Sequence, residues 1–393
     1  MHICGIIAEY DPFHTGHAHQ IRAVRELLGQ DCAVICVMSG NWTQRGGAAI
    51  ADKHLRARLA LMGGADLILE LPLPCAISSA EQFAQGGVGL LHAAGIVTHL
   101  CFGSECGELA VLQQAAACLD SEAYRAALKP HLAQGVSFPT ARQRAVEELI
   151  GGAAECLGLP NNNLGVEYLH ALHRHESAIT PLTIPRRGAG HGEAAREGYA
   201  SASYLRTLLR AGRWDDARPF LSEPGVELLR SAAFPDPALV ERAFLYRLRQ
   251  MSPDELAALP DCGEGLSNRL YQAIRQGSGL DDILARAKTK RYTHARLRRI
   301  LTWAFLGLTA QDRPETPPYL RVLGMNATGQ TLLRTMSKTS ALPILTKPAH
   351  ARRLSDAAQR FFALDVRATD LYGLCLPTVP PCGQEWLRGP VIL

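Results

Sequence analysis

Residues 3–17 read Ile3-Cys4-Gly5-Ile6-Ile7-Ala8-Glu9-Tyr10-Asp11-Pro12-Phe13-His14-Thr15-Gly16-His17. The apolar run Ile3–Ala8 has the length and residue types of a buried strand. The chain turns at Pro12, and His14-Thr15-Gly16-His17 opens a helix, His17–Leu28, with Ile21, Val24, Leu27 and Leu28 on one face. A helix that begins just beyond a buried strand offers unpaired N–H groups and partial positive charge, which suits a phosphate. Gly16 lets backbone approach such a ligand closely. Two imidazoles three residues apart place donors on one side of the turn. There they can stabilise charge on an α- or β-phosphate as pyrophosphate leaves.

The pattern outward from this stretch repeats strand and helix. Ala33–Met38, Leu67–Leu71, Thr98–Phe102 and Leu182–Ile184 read as strands. Asp52 caps a helix that runs to about Met62, and Ser79 with Gln82 makes a capping box for a helix to about His92. Strands spaced by helices imply an α/β fold: a Rossmann-like parallel sheet with right-handed crossovers and a ligand beyond the carboxyl ends of its strands. A second phosphate-gripping constellation is Ser201-Ala202-Ser203-Tyr204-Leu205-Arg206, small hydroxyls at a helix start with an arginine one turn on. An ordinary helix cap with a solvated arginine would look the same.

The chain has 393 residues, 47% hydrophobic and 20% charged, with a net charge of +4. That balance excludes a wholly disordered chain, and the 35 Gly and 23 Pro are too few for a collagen-like one. Eleven scattered cysteines without a CxxC pair argue against a disulfide framework and a structural zinc. No stretch approaches the roughly 18 apolar residues of a membrane helix, and no targeting segment is visible, so a soluble cytoplasmic protein with no membrane partner is expected. Helices dominate after Trp214, a Pro-rich linker lies at Gln311–Pro318, and strands at Leu320–Leu323 and Pro343–Leu345 precede a helix at Arg353–Phe362. Three segments are therefore expected: a nucleotide-binding domain (1–213), a basic helical domain (214–313) and a small mixed C-terminal module (314–393).

From Ile283 to Ala310 there is no acid, yet the span holds Arg286, Lys288, Lys290, Arg291, Arg296, Arg298 and Arg299 beside Tyr292 and His294. Seven like charges with an aromatic interleaved suit a phosphate backbone, and six of them (Lys288, Lys290, Arg291, Arg296, Arg298, Arg299) are the candidate RNA contacts. A solvated helix face is the plainer alternative. Leu259–Gly265 resembles the hairpin of a helix–hairpin–helix backbone binder, though a plain helix–helix turn explains it. Met336-Ser337-Lys338-Thr339-Ser340 resembles the KMSKS loop of class I tRNA synthetases, a coincidence on its position after the linker. The chain has neither a GxSxG nucleophile elbow nor a GxxxxGK[ST] P-loop.

HxGH after a first strand and a Ser-x-x-x-x-Arg helix start are signatures of the nucleotidyltransferase superfamily. GIIAEYDPFHTGH, MSGNWTQRG, AIADKHLRARLALMGGADLILELP, SAEQFA, CFGSE, PNNNLGVEYL, PLTIPRRGAG, RYTHARLRRIL, YLRVLG and ATDLY resemble successive blocks of the tRNA(Met) cytidine acetate ligase family, in order and over nearly the whole chain. The resemblance implies an ATP-dependent ligase that makes acetyl-adenylate from acetate. It would then acetylate N4 of the wobble cytidine in elongator methionine tRNA. ATP is implied as co-substrate, with Mg²⁺ but no dedicated protein metal site.

By position the family's ATP-binding stretch falls on Ile7, Ala8, Glu9, Tyr10, Asp11, Pro12, Phe13, His14, Thr15, Gly16, His17, Ala18, His19 and Gln20. Further nucleotide contacts fall on Gly103, Asn161, Asn162, Arg186 and Arg187, joined by Ser203 and Arg206, with His14 and His17 as the catalytic pair. Gly103 follows a strand where a side chain would block an adenine or ribose; Asn161 and Asn162 follow Pro160, where turn chemistry is an equal explanation. The family usually has Asn where Asp11 stands. A carboxylate near phosphates is unfavourable unless Mg²⁺ or an arginine offsets it, and Arg187, in place of a usually apolar residue, is one candidate. Two other functions share parts of the pattern. A nucleotidyltransferase acting on a small metabolite would not need the basic region, and a non-catalytic RNA-binding protein would not need both histidines.

Overall fold

The computed structural model describes residues 1–186, 198–263 and 265–393. Its strands, in chain order, are β1 (Ile3–Ala8), β2 (Ala33–Ser39), β3 (Trp42–Thr43), β4 (Gly47–Ala48), β5 (Leu67–Leu71), β6 (His99–Ser104), β7 (Thr180–Pro185), β8 (Leu320–Met325), β9 (Ile344–Leu345) and β10 (Val391–Ile392). The main sheet runs β10-β8-β5-β2-β1-β6-β7, with β9 beside β8; β3 and β4 form a separate small hairpin. Strands β5, β2, β1, β6 and β7 are mutually parallel, as the alternation of strand and helix requires. The chain order reverses between β1 and β6, which pair only at Cys4–His99 and Gly5–Leu100; in open parallel sheets the crevice beyond the carboxyl ends of two such strands is where ligands bind.

The strands read as unbroken apolar runs because helices cover both faces of the sheet. Ile3 and Ile7 of β1, Ala33, Ile35 and Val37 of β2, and Leu67, Leu69 and Leu71 of β5 face one core, packed by Phe83, Val88 and Leu91. Their alternates Cys4, Ile6, Val34, Cys36, Met38 and Ile68 face the other, with Ile21, Val24, Leu59, Leu205 and Leu208. Those side chains come from α1 (Thr15–Leu28), α2 (Lys53–Met62), α3 (Ala80–Ala93) and, further along, α5 (Ala202–Arg210); α4 (Pro160–Arg174) lies on the α3 side. Asp52 caps α2 through the amides of His54 and Leu55. The expected capping box at Ser79 does not form: Ser79 is the N-cap of α3 but its side chain makes no cap bond.

Helices recur from Trp214 to Asp312: the first of them pack on the sheet through Ala217, Leu221, Val226 and Leu229, and those from Pro237 onward build a core of their own around Phe244, Leu270, Leu297 and Trp303. Its principal wall is α6 (His294–Leu306). Trp42 of β3 enters this core, donating its indole N–H to Ala368 O at 2.9 Å, and Trp303 donates to Ile77 O at 2.8 Å.

The segment after residue 314 joins the first segment's sheet. β8 lies antiparallel to β5, with Leu67 opposite Met325, and β10 extends the sheet beyond it. The sequence reading missed this because an antiparallel strand added late in the chain leaves no mark on the strand–helix alternation. Helices α7 (Ala327–Thr339) and α8 (Asp356–Gly373) follow β8 and β9. A buried charge network secures the join. Lys53 Nζ contacts both Glu70 oxygens at 2.7 and 2.8 Å and Glu385 Oε2 at 2.8 Å, and Arg321 reaches Glu385 at 3.2 Å.

Candidate active site

The first helix begins with two linked imidazoles. His14 is the N-cap of α1, and its Nδ1 accepts from the Gly16 amide at 3.0 Å; His17 Nδ1 accepts from the His14 amide at 3.3 Å. Both Nδ1 atoms are acceptors, so each ring carries its proton on Nε2. The rings lie 3.8 Å apart between centroids. Burial, with Arg186 nearby, pushes His14 down to about 3. Burial, then His14 and Arg186, holds His17 well below the usual histidine range. Near neutral pH the pair is uncharged, and each ring has an Nε2–H to donate. The buried Thr15 hydroxyl has no protein partner.

The rest of the Ile7–Gln20 stretch divides by direction. Ile7, Tyr10 and Phe13 are buried in the two cores, with the Tyr10 hydroxyl 3.2 Å from Cys36 Sγ. Gln20 donates to Cys101 O at 3.3 Å. Tyr10 has φ 49°, a left-handed conformation that costs a non-glycine residue on the order of 1 kcal/mol and that its buried ring holds in place. Glu9 is half-buried: its Oε1 accepts from the Gln44 amide at 2.6 Å, and burial raises its carboxyl above the ordinary range.

Asp11 is committed to structure. Its Oδ1 accepts from the Ile50 amide at 2.7 Å, and Arg206 lies 3.3 Å from its Oδ2 while donating to its backbone oxygen at 2.7 Å. The arginine that offsets this carboxylate is thus Arg206; Arg187, the partner guessed from sequence, lies outside the described residues. Ser201 rather than Ser203 caps the second helix, accepting from the Tyr204 amide, and Ser203 lies 3.1 Å from the Ser201 hydroxyl.

Across the crevice, Asn162 Oδ1 accepts from the Glu105 and Cys106 amides, and the Glu105 carboxylate receives the Asn161 and Asn162 amides and the Asn161 side chain. This reciprocal lock joins the end of β6 to the start of α4. Glu105, its acceptor, was not singled out from sequence; an acid directly after a strand that ends at the crevice was the available signal. Arg186 donates to Asn161 Oδ1 at 3.1 Å, and its charge acts on both histidines. A Cβ at Gly103 would come within 3.1 Å of the Arg186 side chain. Arg56 was also missed. Buried in α2, it donates to the carbonyls of Glu9, Ser39, Gly40 and Ala51, tying down the ends of β1 and β2.

In the basic span, Lys288, Lys290 and Arg298 are exposed, whereas Arg291, Arg296 and Arg299 are half-buried. Arg296 donates to Asp261 O at 2.8 Å and lies over the Tyr292 ring. Asp261 also pairs with Arg313, which braces the turn around it. Met336–Ser340 is the end of α7, and its Thr339 packs against Gly95 before β6. That is the opposite end of the sheet from the histidines, so it plays no KMSKS-like part.

A switch-point crevice with paired neutral imidazoles at a helix start defines a nucleotide-binding α/β protein of the HxGH type. The sequence profile of the family described as HIGH Nucleotidyl Transferase matches residues 1–384. The tRNA(Met) cytidine acetate ligases of Acetivibrio thermocellus and Syntrophomonas wolfei are 35% and 36% identical over 419 and 414 residues. They cover all of this chain and 100% and 99% of their own lengths. A crystal structure of Thermotoga maritima TmcAL bound with alpha-thio ATP superposes with a TM-score of 0.91 at 32% identity, covering 100% of both chains; an apo form gives 0.93 at 33%. The chain belongs to the tRNA(Met) cytidine acetate ligase family.

Proposed function

We propose that the protein activates acetate with ATP and acetylates N4 of the wobble cytidine of elongator methionine tRNA. The observation that carries the reading is the neutral histidine pair at the start of α1, in a chain that matches ligases of this name from end to end. Acetate is a poor acyl donor because its oxygen leaves badly. Attack of an acetate oxygen on the α-phosphorus of ATP forms acetyl-adenylate and expels pyrophosphate. The amine of cytidine then attacks the acetyl carbonyl, AMP leaves, and the amine loses a proton. The first step requires donors around phosphate and no covalent nucleophile. The His14 and His17 Nε2–H groups, the α1 amides and Arg186 are such donors, and their work is to meet charge as it develops. Positioning supplies much of the second step, since the cytidine amine is a weak nucleophile.

Mg²⁺ enters, in this reading, bound to the phosphates of ATP. Asp11, the carboxylate next to the histidines, is already held by the Ile50 amide and Arg206. Lys288, Lys290, Arg291, Arg296, Arg298 and Arg299 make the tRNA surface, with the exposed Lys288, Lys290 and Arg298 contributing most. No helix among the described residues is long and apolar enough to cross a membrane, and we place the protein in the cytoplasm with its tRNA.

The test is incubation with ATP, labelled acetate and methionine tRNA. Label on the RNA that requires all three components supports the proposal. AMP transfer to a small metabolite without RNA, or tight RNA binding with no ATP turnover, overturns it.

A further inference from the structure

The hairpin β3–β4 stands between the nucleotide crevice and the basic helix and touches both. On the crevice side, the Gln44 amide in its turn donates to Glu9 at 2.6 Å. On the other side, Thr302 of α6 donates its hydroxyl to Gly46 O at 2.9 Å. Gly46, at φ +71°, lies so close that a Cβ would come within 2.7 Å of the Arg298 and Arg299 backbone. Trp42, at the base of the hairpin, is buried in the helical core. The turn is therefore a rigid bridge rather than a loose flap.

Arg45 sits at the tip of this bridge with its side chain exposed. The charged groups acting on it are Glu9 and Arg206 from the crevice and Arg298 from α6. Asp11 counters Arg206 and Glu9 lies beside Arg45, so the positive charge that leads from this turn onto the basic helix is carried by Arg45 and Arg298. A nucleic-acid strand whose base enters the crevice must carry its backbone past the turn Gln44–Gly46, which is bonded to Glu9 on one side and to the basic helix on the other.

We propose that Arg45 and Arg298 together grip the tRNA phosphate backbone next to the target cytidine, making Arg45 a positioning residue for the acyl-transfer step. This rests on the tRNA reading above. The occupant is single-stranded RNA phosphate: the path is positive, and the base to be modified lies in a loop, where bases can be splayed out while the backbone is held. Arg45 was not among the RNA-binding candidates because it lies 243 residues before Lys288, in a turn with a single positive charge.

The experiment uses the full-length protein, with Arg45→Ala, Arg298→Ala, the double variant and Arg45→Lys. Acetate-dependent ATP–pyrophosphate exchange, which involves no RNA, is measured beside tRNA acetylation across a range of KCl concentrations. Arg45→Ala is expected to keep the exchange rate and unfolding midpoint of the wild type. Its kcat/KM for tRNA should fall about 10- to 100-fold. The slope of log kcat/KM against log salt should shallow by about 0.7, the loss of one single-strand phosphate contact. Arg45→Lys recovers most of the activity, because a phosphate accepts either cation, and the double variant loses less than the product of the two single losses. An equal fall in exchange would make Arg45 an ATP residue and overturn the proposal, as would unchanged tRNA kinetics. Failure of the wild type to acetylate tRNA would instead strike the functional reading on which the proposal stands.

Discussion

Arg206 holds Asp11 at two points, donating to its backbone oxygen at 2.7 Å while lying 3.3 Å from its carboxylate. The pair joins the start of the second candidate phosphate site to the turn that leads into the histidines, 195 residues apart in sequence. It also neutralises the carboxylate that an Asn in this position would not have introduced. Arg206→Ala should cost about 3 kcal/mol of unfolding free energy, because it leaves a largely buried carboxylate without its counter-charge. Asp11→Asn should cost less and lower the KM for ATP, since the Ile50 amide keeps an acceptor and Arg206 is released toward phosphate. Urea unfolding and ATP saturation curves check both; an unchanged KM in Asp11→Asn would show that Arg206 does not reach the nucleotide.

His17→Ala should reduce ATP–pyrophosphate exchange about 100- to 1,000-fold, the loss associated with one transition-state donor, and leave tRNA affinity nearly unchanged. His14→Ala should do the same with an added stability cost, because His14 also caps the helix. Filter binding of labelled tRNA separates the two effects. Equal loss of exchange and of RNA binding would contradict this division of labour.

The histidines also set a pH dependence. Folded His14 stays neutral down to about 3, while the unfolded chain takes up that proton near the usual histidine value. Its contribution to stability is complete above about pH 6.5 and is lost as pH falls toward 3. His14→Gln should flatten the fall in stability across this window relative to wild type. Over pH 7–8 neither histidine should impose a titration on the exchange rate.

Burial, and then Glu70, pushes the Asp365 carboxyl up to about 7, and Tyr319 hydrogen-bonds it at 2.5 Å. This sign is opposite to the histidine's. The folded state holds a proton that the unfolded chain has released, so the contribution is greatest below about pH 4 and is lost as pH rises through 7. Asp365→Asn should therefore gain on wild type between pH 5 and pH 8, by about 1–3 kcal/mol in urea unfolding. The same difference at both pH values would show that Asp365 does not change its protonation.

Gly46→Ala should loosen the hairpin from α6. The new Cβ meets the Arg298–Arg299 backbone and forces a non-glycine residue to hold φ +71°, costing at least about 1 kcal/mol. RNA-dependent acetylation should fall further than ATP–pyrophosphate exchange. A parallel fall in both would mean that this docking serves stability alone.

The sequence by itself determined the local and the periodic. Ile3–Ala8 and the His14–His17 helix start were legible because strand, turn and helix obey short-range rules, and so were the parallel order of the first half and the basic span after Ile283. Only the tertiary structure decided where distant groups meet. Asp11 finds Arg206, Lys53 lies between Glu70 and Glu385, β8 runs against β5, and Arg45 comes beside Arg298. The physical reason is that hydrophobic periodicity records which face of an element is buried but not against what, and a charge in sequence carries no record of the partner that folding brings to it.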